Sequence, residues 1–326
     1  MKIFKRISDY LIYLAVCAAI AGIGAMKRPA MRKFADGCGK LLYFLPGFGS
    51  LCVKNIHAAF PEMPVEKVKE TALKSLQNLV FTLCEFFWIR KHPEQLEQIV
   101  DLSECEACAR KGLEKTGDGT GTIMITPHLG NWEFAGRILS AVYHYKMATV
   151  VKSSRNPYLD RIVSEGRKAG EVKIIYSKGA AQAMKRALCD GYSIGILIDQ
   201  NTRVRYGGVF VKLFGLSVPV SRAPAVLARS RNRYVAVGTV LHTGDSCRAI
   251  LRELPKPAGE YQSDEEMIQA ITDITEEYIR MAPEQYLWLY KRFQYIPPDT
   301  PPEIRKRYPD YAVVPKASFY SLADRK

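Results

Sequence analysis

The chemistry in this sequence concentrates at PHLGNWEFAGR, residues 127–137, where an apolar run ends in Pro127-His128 and a Gly130-Asn131 turn follows. A helix then starts near Trp132 and carries Glu133 in its first turn. On one regular helix, residues five apart point about 140° away from each other. His128 and Glu133 can therefore meet only if the histidine sits on the turn before the helix, and glycine and asparagine make such a turn easy. An imidazole held by a carboxylate is a general base: the carboxylate fixes the tautomer and stabilises the imidazolium formed when the ring takes a proton from an attacking hydroxyl. If the acceptor supplies that oxygen, no serine or cysteine nucleophile is needed. A bare H-x4-E also arises from a loop histidine and a charge favoured by the helix dipole. The pair gains weight from its place at the C-terminal end of a strand, where open parallel sheets keep their sites.

The elements that must position the pair alternate in type. Short β-rich runs at 122–126, 147–151, 172–176 and 193–198 are separated by helical patterns at 132–142, 158–168 and 180–188. Such alternation implies an α/β fold with a mostly parallel sheet flanked by helices. Further strands are expected at 234–241 and 248–254, and a helix at 263–281. Upstream, residues 41–109 read as helical, with apolar residues at three- and four-residue spacing in VEKVKETALKSLQNLVFTLCEFFWIRK. Phe81, Phe86, Phe87 and Trp88 in that stretch are read as core packing. The expected organisation is an N-terminal membrane-anchor helix (1–28), a helical region packed on the core (29–114), an α/β core (115–297) and a C-terminal tail (298–326).

The anchor reading rests on Lys2, Lys5 and Arg6, a run from 10 to 26 without charge, and Lys27, Arg28, Arg32 and Lys33 after it. That run is close to the roughly 20 residues needed to cross a hydrocarbon core. Its basic flanks suit anionic headgroups, and no clean small-residue cleavage site follows, so an anchor is favoured over a cleaved signal. With one such run, the body is expected on one face of the membrane. The net charge of +14 favours an anionic partner such as phospholipid, phosphorylated glycolipid, an acidic carrier protein or nucleic acid. The 8 cysteines are scattered, and the lone CxxC at Cys105/Cys108 is read as chance; the scatter suits a reducing cytoplasm. His57, His92, His144 and His242 form no ligand pattern with His128, so no metal or other cofactor is expected.

Several blocks in order make the sequence resemble the bacterial lipid A biosynthesis acyltransferases, the late lauroyl and myristoyl transferases of the glycerolipid acyltransferase superfamily marked by H-x4-D/E. HLGNWE carries His128 and Glu133; Arg155-Asn156-Pro157 with Arg167, ILIDQN ending at Asp199-Gln200-Asn201, GGVFVKLFG from Gly207 to Gly215 with Pro219, and QYLWLYKRF follow. The last resembles a family ending W-x-H-R-R-F, with Trp288, Arg292 and Phe293 in place, Tyr290 at the common histidine and Lys291 at the common arginine. The resemblance covers nearly the whole chain.

The resemblance implies acyl transfer from acyl-acyl carrier protein to a hydroxyl of a phosphorylated glucosamine lipid, a lipid A precursor, at the cytoplasmic face of the inner membrane, with no nucleic acid involved. His128 would deprotonate the hydroxyl and Glu133 would orient His128, with the backbone amides of the Gly130-Asn131 turn as candidate oxyanion donors. The candidate substrate-binding residues are Asn131, Lys152, Arg155, Arg167, Asp199, Gln200 and Gly208. Arg167, Arg155 and Lys152 would hold phosphate or the carrier's acidic helix; Asp199 and Gln200 would organise the pocket floor; Gly207 and Gly208 would let a loop pack beside the acyl chain. Two alternatives stay open beside a third, a metal hydrolase, for which the other histidines supply no ligand set. One is a related acyltransferase with another acceptor, such as a phosphatidylinositol mannoside or an aminolipid; glycerophosphate is disfavoured because DQN stands where an FPEGT-like block is usual. The other is a membrane-tethered, non-catalytic protein that binds anionic ligands.

Overall fold

The computed structural model describes residues 2–116, 121–151, 154, 156–168, 172–177 and 179–321. Helix α1 (Lys2–Ala25) holds a stretch, Ser8–Ala25, that is long and apolar enough to cross a membrane and is almost wholly unburied. Its far end is tied to the body where the Trp88 indole donates to the Met26 carbonyl (3.0 Å). After Lys27, Pro29 starts α2 (Arg28–Phe44), since proline costs nothing in a first helical turn. Pro46-Gly47 then turns the chain into α3 (Phe48–Ala59), with Gly47 in the left-handed region at φ 86°. Helix α4 (Val65–Trp88) fulfils the helical spacing, burying Val68, Ala72, Leu76, Phe81, Phe86 and Trp88. Gly39 of α2 lies on the α4 backbone, where a Cβ would come within 2.5 Å of the Gln77 Cα.

Past α5 (Gln95–Ile99), β1 (Val100–Asp101) and α6 (Glu106–Thr116), the expected alternation follows in order. Strand β2 (Ile123–Thr126) leads to α7 (Trp132–Arg137), which widens into a π turn at Ile138–Val142; then come β3 (Met147–Val151), α8 (Pro157–Lys168), β4 (Lys173–Tyr176), α9 (Ala180–Cys189) and β5 (Ser193–Leu197). A hairpin not anticipated from the sequence, β6 (Gly208–Leu213) and β7 (Leu216–Ser221), forms its own two-stranded sheet. Helix α10 (Ala223–Arg229), strands β8 (Val235–Thr243) and β9 (Ser246–Glu253), α11 (Asp264–Met281) and the short α12 (Pro302–Arg305) complete the chain.

The main sheet has 7 strands in the order β1-β9-β8-β2-β5-β3-β4. All neighbours are parallel except β8 and β9, which form an antiparallel pair. The apolar wording of β2, IMIT, suits a central parallel strand covered on both faces. Its side chains alternate across the sheet: Ile123 and Ile125 enter one buried cluster with α9, α11 and the hairpin, while Met124 enters another with Phe134, Ile138 and Met147 under α7. For the site, the decisive feature is the β2–β5 register, which places Thr126 opposite Leu197.

Candidate active site

Carried two residues beyond the last paired positions, the parallel register puts His128 opposite Asp199. The side chains meet: the His128 backbone N–H donates to Asp199 Oδ2 (2.8 Å), and His128 Nδ1 is 2.7 Å from Asp199 Oδ1. Asp199 is 6% exposed and His128 16% exposed, so the carboxylate is sealed below the ring while part of the imidazole faces outward. With Nδ1 committed as donor to Asp199, the tautomer places the lone pair on Nε2. The ring rests edge-on against Trp132, with centroids 5.2 Å apart. Burial opposes the imidazolium, but the Asp199 charge and hydrogen bond, helped by Glu133, outweigh it and hold the His128 pKa above its ordinary 6.5; Arg167 pulls the other way. Burial likewise raises Asp199, but His128 and the buried Arg292 hold its carboxyl below the usual range. The Tyr286 hydroxyl also reaches the Asp199 carboxylate.

Two sequence expectations are corrected here. Glu133 does not hold the His128 ring; its carboxylate pairs with Arg167, Oε1 accepting from Nη2 (2.6 Å) and Oε2 from Nε (3.2 Å). Glu133 sits on the first turn of α7 and turns toward α8, whereas Asp199 emerges from the neighbouring parallel strand straight beneath the ring. Asp199 is therefore the residue that orients His128, more than a part of the pocket floor. Nor are the turn amides free for an oxyanion: Gly130 N–H donates to the Gln285 carbonyl (3.1 Å) and Asn131 N–H to the Val240 carbonyl (2.7 Å). Gly130 is obligatory at this turn, with φ 59° and no room for a Cβ against Val240.

The remaining candidates divide. Asn131 is fully buried; its Oδ1 caps α7 by accepting from Phe134 N–H (3.0 Å), and its Nδ2 donates to Glu85 (2.8 Å). Gly208 packs where a Cβ would strike the Thr202 backbone, and neither it nor Gly207 lines the cavity described below. Gln200 is exposed and likewise outside that cavity. Arg167, paired with Glu133, stays 21% exposed at the cavity wall. Lys152 and Arg155 lie outside the described residues. Tyr290, standing at the position of the family's common histidine, accepts from Asn201 N–H (3.0 Å), while the neighbouring Arg292 donates to Asn201 Oδ1 (2.8 Å). Together they pin the loop that follows Asp199.

Sequence reasoning missed the support beneath the turn. Glu85 on α4, wholly buried, accepts from Arg28 Nε (2.8 Å), His242 Nε2 (2.7 Å) and Asn131 Nδ2 (2.8 Å). Burial works against its charge, but His242 and Arg28 prevail and keep its pKa below the ordinary carboxylate value. Thr82, one turn earlier, donates to the Gly130 carbonyl (3.0 Å). Glu85, His242 and Cys247 lie close enough to suggest a metal site. The Arg28 guanidinium occupies the cation's role, bonding both Glu85 and the Cys247 sulfur (3.6 Å). A polar residue recurring on the buried face of an otherwise apolar helix was the available signal for Glu85. Arg28 and Arg32 were expected at lipid headgroups; instead both turn inward, Arg32 donating to Asn78 Oδ1 (2.7 Å). The CxxC thiols do not face a common ligand, since Cys105 contacts the Tyr143 hydroxyl and Cys108 that of Tyr234.

Next to Trp132, against which the His128 ring rests, opens an apolar cavity with about 1040 Å³ of empty space, its mouth included; neither His128 nor Asp199 is among its lining residues. Trp132, Glu133 and Arg167 belong to its polar side, and Phe86, Met124, Leu139, Met147 and Leu251 to its apolar wall. Gly195 of β5 and Gly238 of β8, on either side of β2, also line it. A Cβ at Gly238 would come within 2.7 Å of Leu251 Cδ1, whereas at Gly195 the nearest atom is Met147 Cε at 3.3 Å, so the open space lies on the β5 side. The arrangement can hold an alkyl chain in a cavity that shares Trp132 with the His128 ring.

The family model described as bacterial lipid A biosynthesis acyltransferase matches residues 1–295. Among curated proteins, the chain is 24% identical over 290 residues to the lipid A biosynthesis palmitoleoyltransferase of Escherichia coli K12, covering 87% of this chain and 86% of that one. It is 22% identical over 280 residues to the lauroyltransferase of the same organism, covering 84% and 88%. The site's imidazole, its buried carboxylate and the adjoining apolar cavity thus belong to an acyltransferase, and the chain is a member of the bacterial lipid A biosynthesis acyltransferase family.

Proposed function

We propose that this enzyme moves a fatty acyl group from an acyl-acyl carrier protein thioester to a hydroxyl of a lipid A precursor, with His128 as general base and Asp199 as the residue that orients it. The reading rests above all on one observation: Asp199 takes His128 Nδ1 at 2.7 Å and leaves Nε2 with no partner among the described residues, while Trp132, packed against the ring, also lines an apolar cavity. In the proposed reaction, Nε2 takes the proton as the acceptor oxygen attacks the thioester carbonyl carbon. The tetrahedral intermediate collapses, the C–S bond breaks, and the leaving thiolate recovers the proton from the imidazolium. The acyl chain lies along the apolar wall. Arg167, anchored by Glu133, holds positive charge where the acceptor's phosphate or the developing oxyanion comes near.

The net charge of +14 supports acidic partners on both sides of the reaction, a carrier protein and a phosphorylated lipid. Helix α1 supports attachment at the cytoplasmic face of the inner membrane, where thioester donors are made. The test is transfer of a labelled acyl chain in mixed micelles from acyl-acyl carrier protein and, separately, from acyl-coenzyme A. The acceptors compared are a tetra-acylated phosphorylated glucosamine lipid, its dephosphorylated form and a phosphatidylinositol mannoside. Preference for the carrier donor and the phosphorylated acceptor supports the proposal. Faster transfer to the mannoside, or from coenzyme A, replaces the corresponding partner.

A further inference from the structure

Helix α2 has one face with no partner among the described residues. Its buried residues, Met31, Ala35 and Gly39, sit against α4. On the opposite side, Phe34 (45% exposed), Leu41 (65%) and Phe44 (71%) project outward. Lys33, Gly37 and Lys40 share that stripe and are exposed as well. At 100° per residue, positions 33, 34, 37, 40, 41 and 44 fall within an arc of about 120°. Leu45, just past the helix end, is 42% exposed and extends the apolar surface. Phenylalanines and leucines this exposed are costly in water, and neither Lys33 nor Lys40 forms an ion pair among the described residues.

We infer that α2 is a second membrane element, lying in the bilayer interface with Phe34, Leu41, Phe44 and Leu45 in the acyl region and Lys33 and Lys40 at anionic headgroups. The inference rests on the reading of α1 as a membrane helix, because only Met26 and Lys27 separate the two helices. Both pack on α4, the helix that also carries Glu85 and Thr82 beneath the catalytic turn. The stripe's chemistry selects the occupant. An amphipathic helix with bulky apolar residues and interleaved lysines fits an anionic lipid surface, whereas two such faces brought together in a dimer would oppose their lysines. Attachment through α1 alone would let the body swing. With α2 held in the interface, the body takes one fixed orientation on the surface from which a lipid acceptor must arrive.

The experiment uses the full chain in vesicles of phosphatidylcholine with one quarter phosphatidylglycerol. A benzophenone amino acid is placed singly at Leu14, Leu41, Phe44 and, as an exposed site on the body, Glu260. Photolysis followed by mass spectrometry is expected to give phospholipid adducts at 14, 41 and 44 and none at 260. Lys33→Gln with Lys40→Gln should lower the adduct yield at 44 about fivefold or more in these vesicles and leave it unchanged in pure phosphatidylcholine. Adducts at 14 but not at 41 or 44 overturn the inference while leaving the α1 anchor intact; adducts at neither helix overturn both. Cross-links from 44 to a second copy of the chain make the stripe a self-interface and also overturn it.

Discussion

Replacing Asp199 by asparagine separates the two possible carboxylate partners of His128. Asparagine is nearly isosteric, and its carbonyl can still accept the His128 backbone N–H now held at 2.8 Å by Oδ2. Its NH2 then faces Nδ1, 2.7 Å away in the native pair, and donates to it. That forces the ring proton onto Nε2, so the nitrogen proposed as the base becomes a donor and cannot take a proton. The same tautomer reversal in a Ser-His-Asp triad costs about 10⁴ in kcat. A loss of about 10³–10⁴ is therefore expected for Asp199→Asn, equivalent to about 4–5.5 kcal/mol of activation free energy. Glu133→Gln keeps the His128 tautomer, loosens Arg167 and removes one charge acting on the ring through space; about 10–100-fold is expected, with part of it in KM. The assay is single-turnover acyl transfer from a labelled thioester, with both variants matched to wild type by thermal unfolding. If Asp199→Asn stays within tenfold of wild type while Glu133→Gln loses three orders of magnitude, the assignment of the orienting carboxylate is wrong.

Further outcomes follow from the same geometry. Because Asp199 holds the His128 pKa above 6.5 and the base must be neutral, kcat/KM should rise with pH through an apparent pKa above that value; removing the raising charge in Glu133→Gln should move the limb to lower pH. A raised histidine pKa contributes stability that is fully present below the unfolded value and is lost as pH rises through the folded one, so the stability gap between wild type and Asp199→Asn should be wider at pH 6 than at pH 9 in thermal melts. At Gly195 a new Cβ is tight only against the flexible Met147 Cε at 3.3 Å, with the Ala148 carbonyl oxygen at 3.8 Å in ordinary contact, so Gly195→Leu should fold and fill part of the cavity. Displacing about two methylenes at about 0.8 kcal/mol each should turn selectivity toward shorter acyl donors by roughly 15-fold, and unchanged chain preference would remove the cavity from the acyl site. Glu85→Ala strands the buried Arg28 and His242 and frees the Asn131 cap, and should cost about 3–5 kcal/mol in denaturant unfolding; a loss under 1 kcal/mol would show that the cluster does not support the turn.

How much of this could be read beforehand depended on how local each signal was. The β-α alternation from 122 to 198 was legible because apolar runs of strand length and helical periodicity are local patterns, and β2, β3, β4 and β5 formed within a residue or two of the expected bounds. His128 was legible from its position after such a run. Its partner was not, because Asp199 lies 71 positions away and meets it only through the pairing of β2 with β5. Strand neighbours cannot be read from one sequence, and Glu133, close in sequence, looked the better match until α8 supplied Arg167. The β6–β7 hairpin carries a visible signal in VFVKL and LSVPV around Phe214-Gly215, which the motif reading of the same residues masks. Glu85 depends on contacts 46 and 157 positions away, which leave no trace in helical periodicity beyond a charge on a buried face. The basic residues after α1 show the converse error: composition counted four cations for the membrane, and folding turned Arg28 and Arg32 inward.

In the proposed mechanism Nε2 of His128 takes the acceptor's proton, and acyl transfer from labelled acyl-acyl carrier protein to a tetra-acylated lipid A precursor by wild type and His128→Ala at matched folding puts that step to the test. Transfer by wild type and a loss of at least three orders of magnitude in the variant is the expected result. Transfer by His128→Ala at a rate near that of wild type would contradict the mechanism at its base.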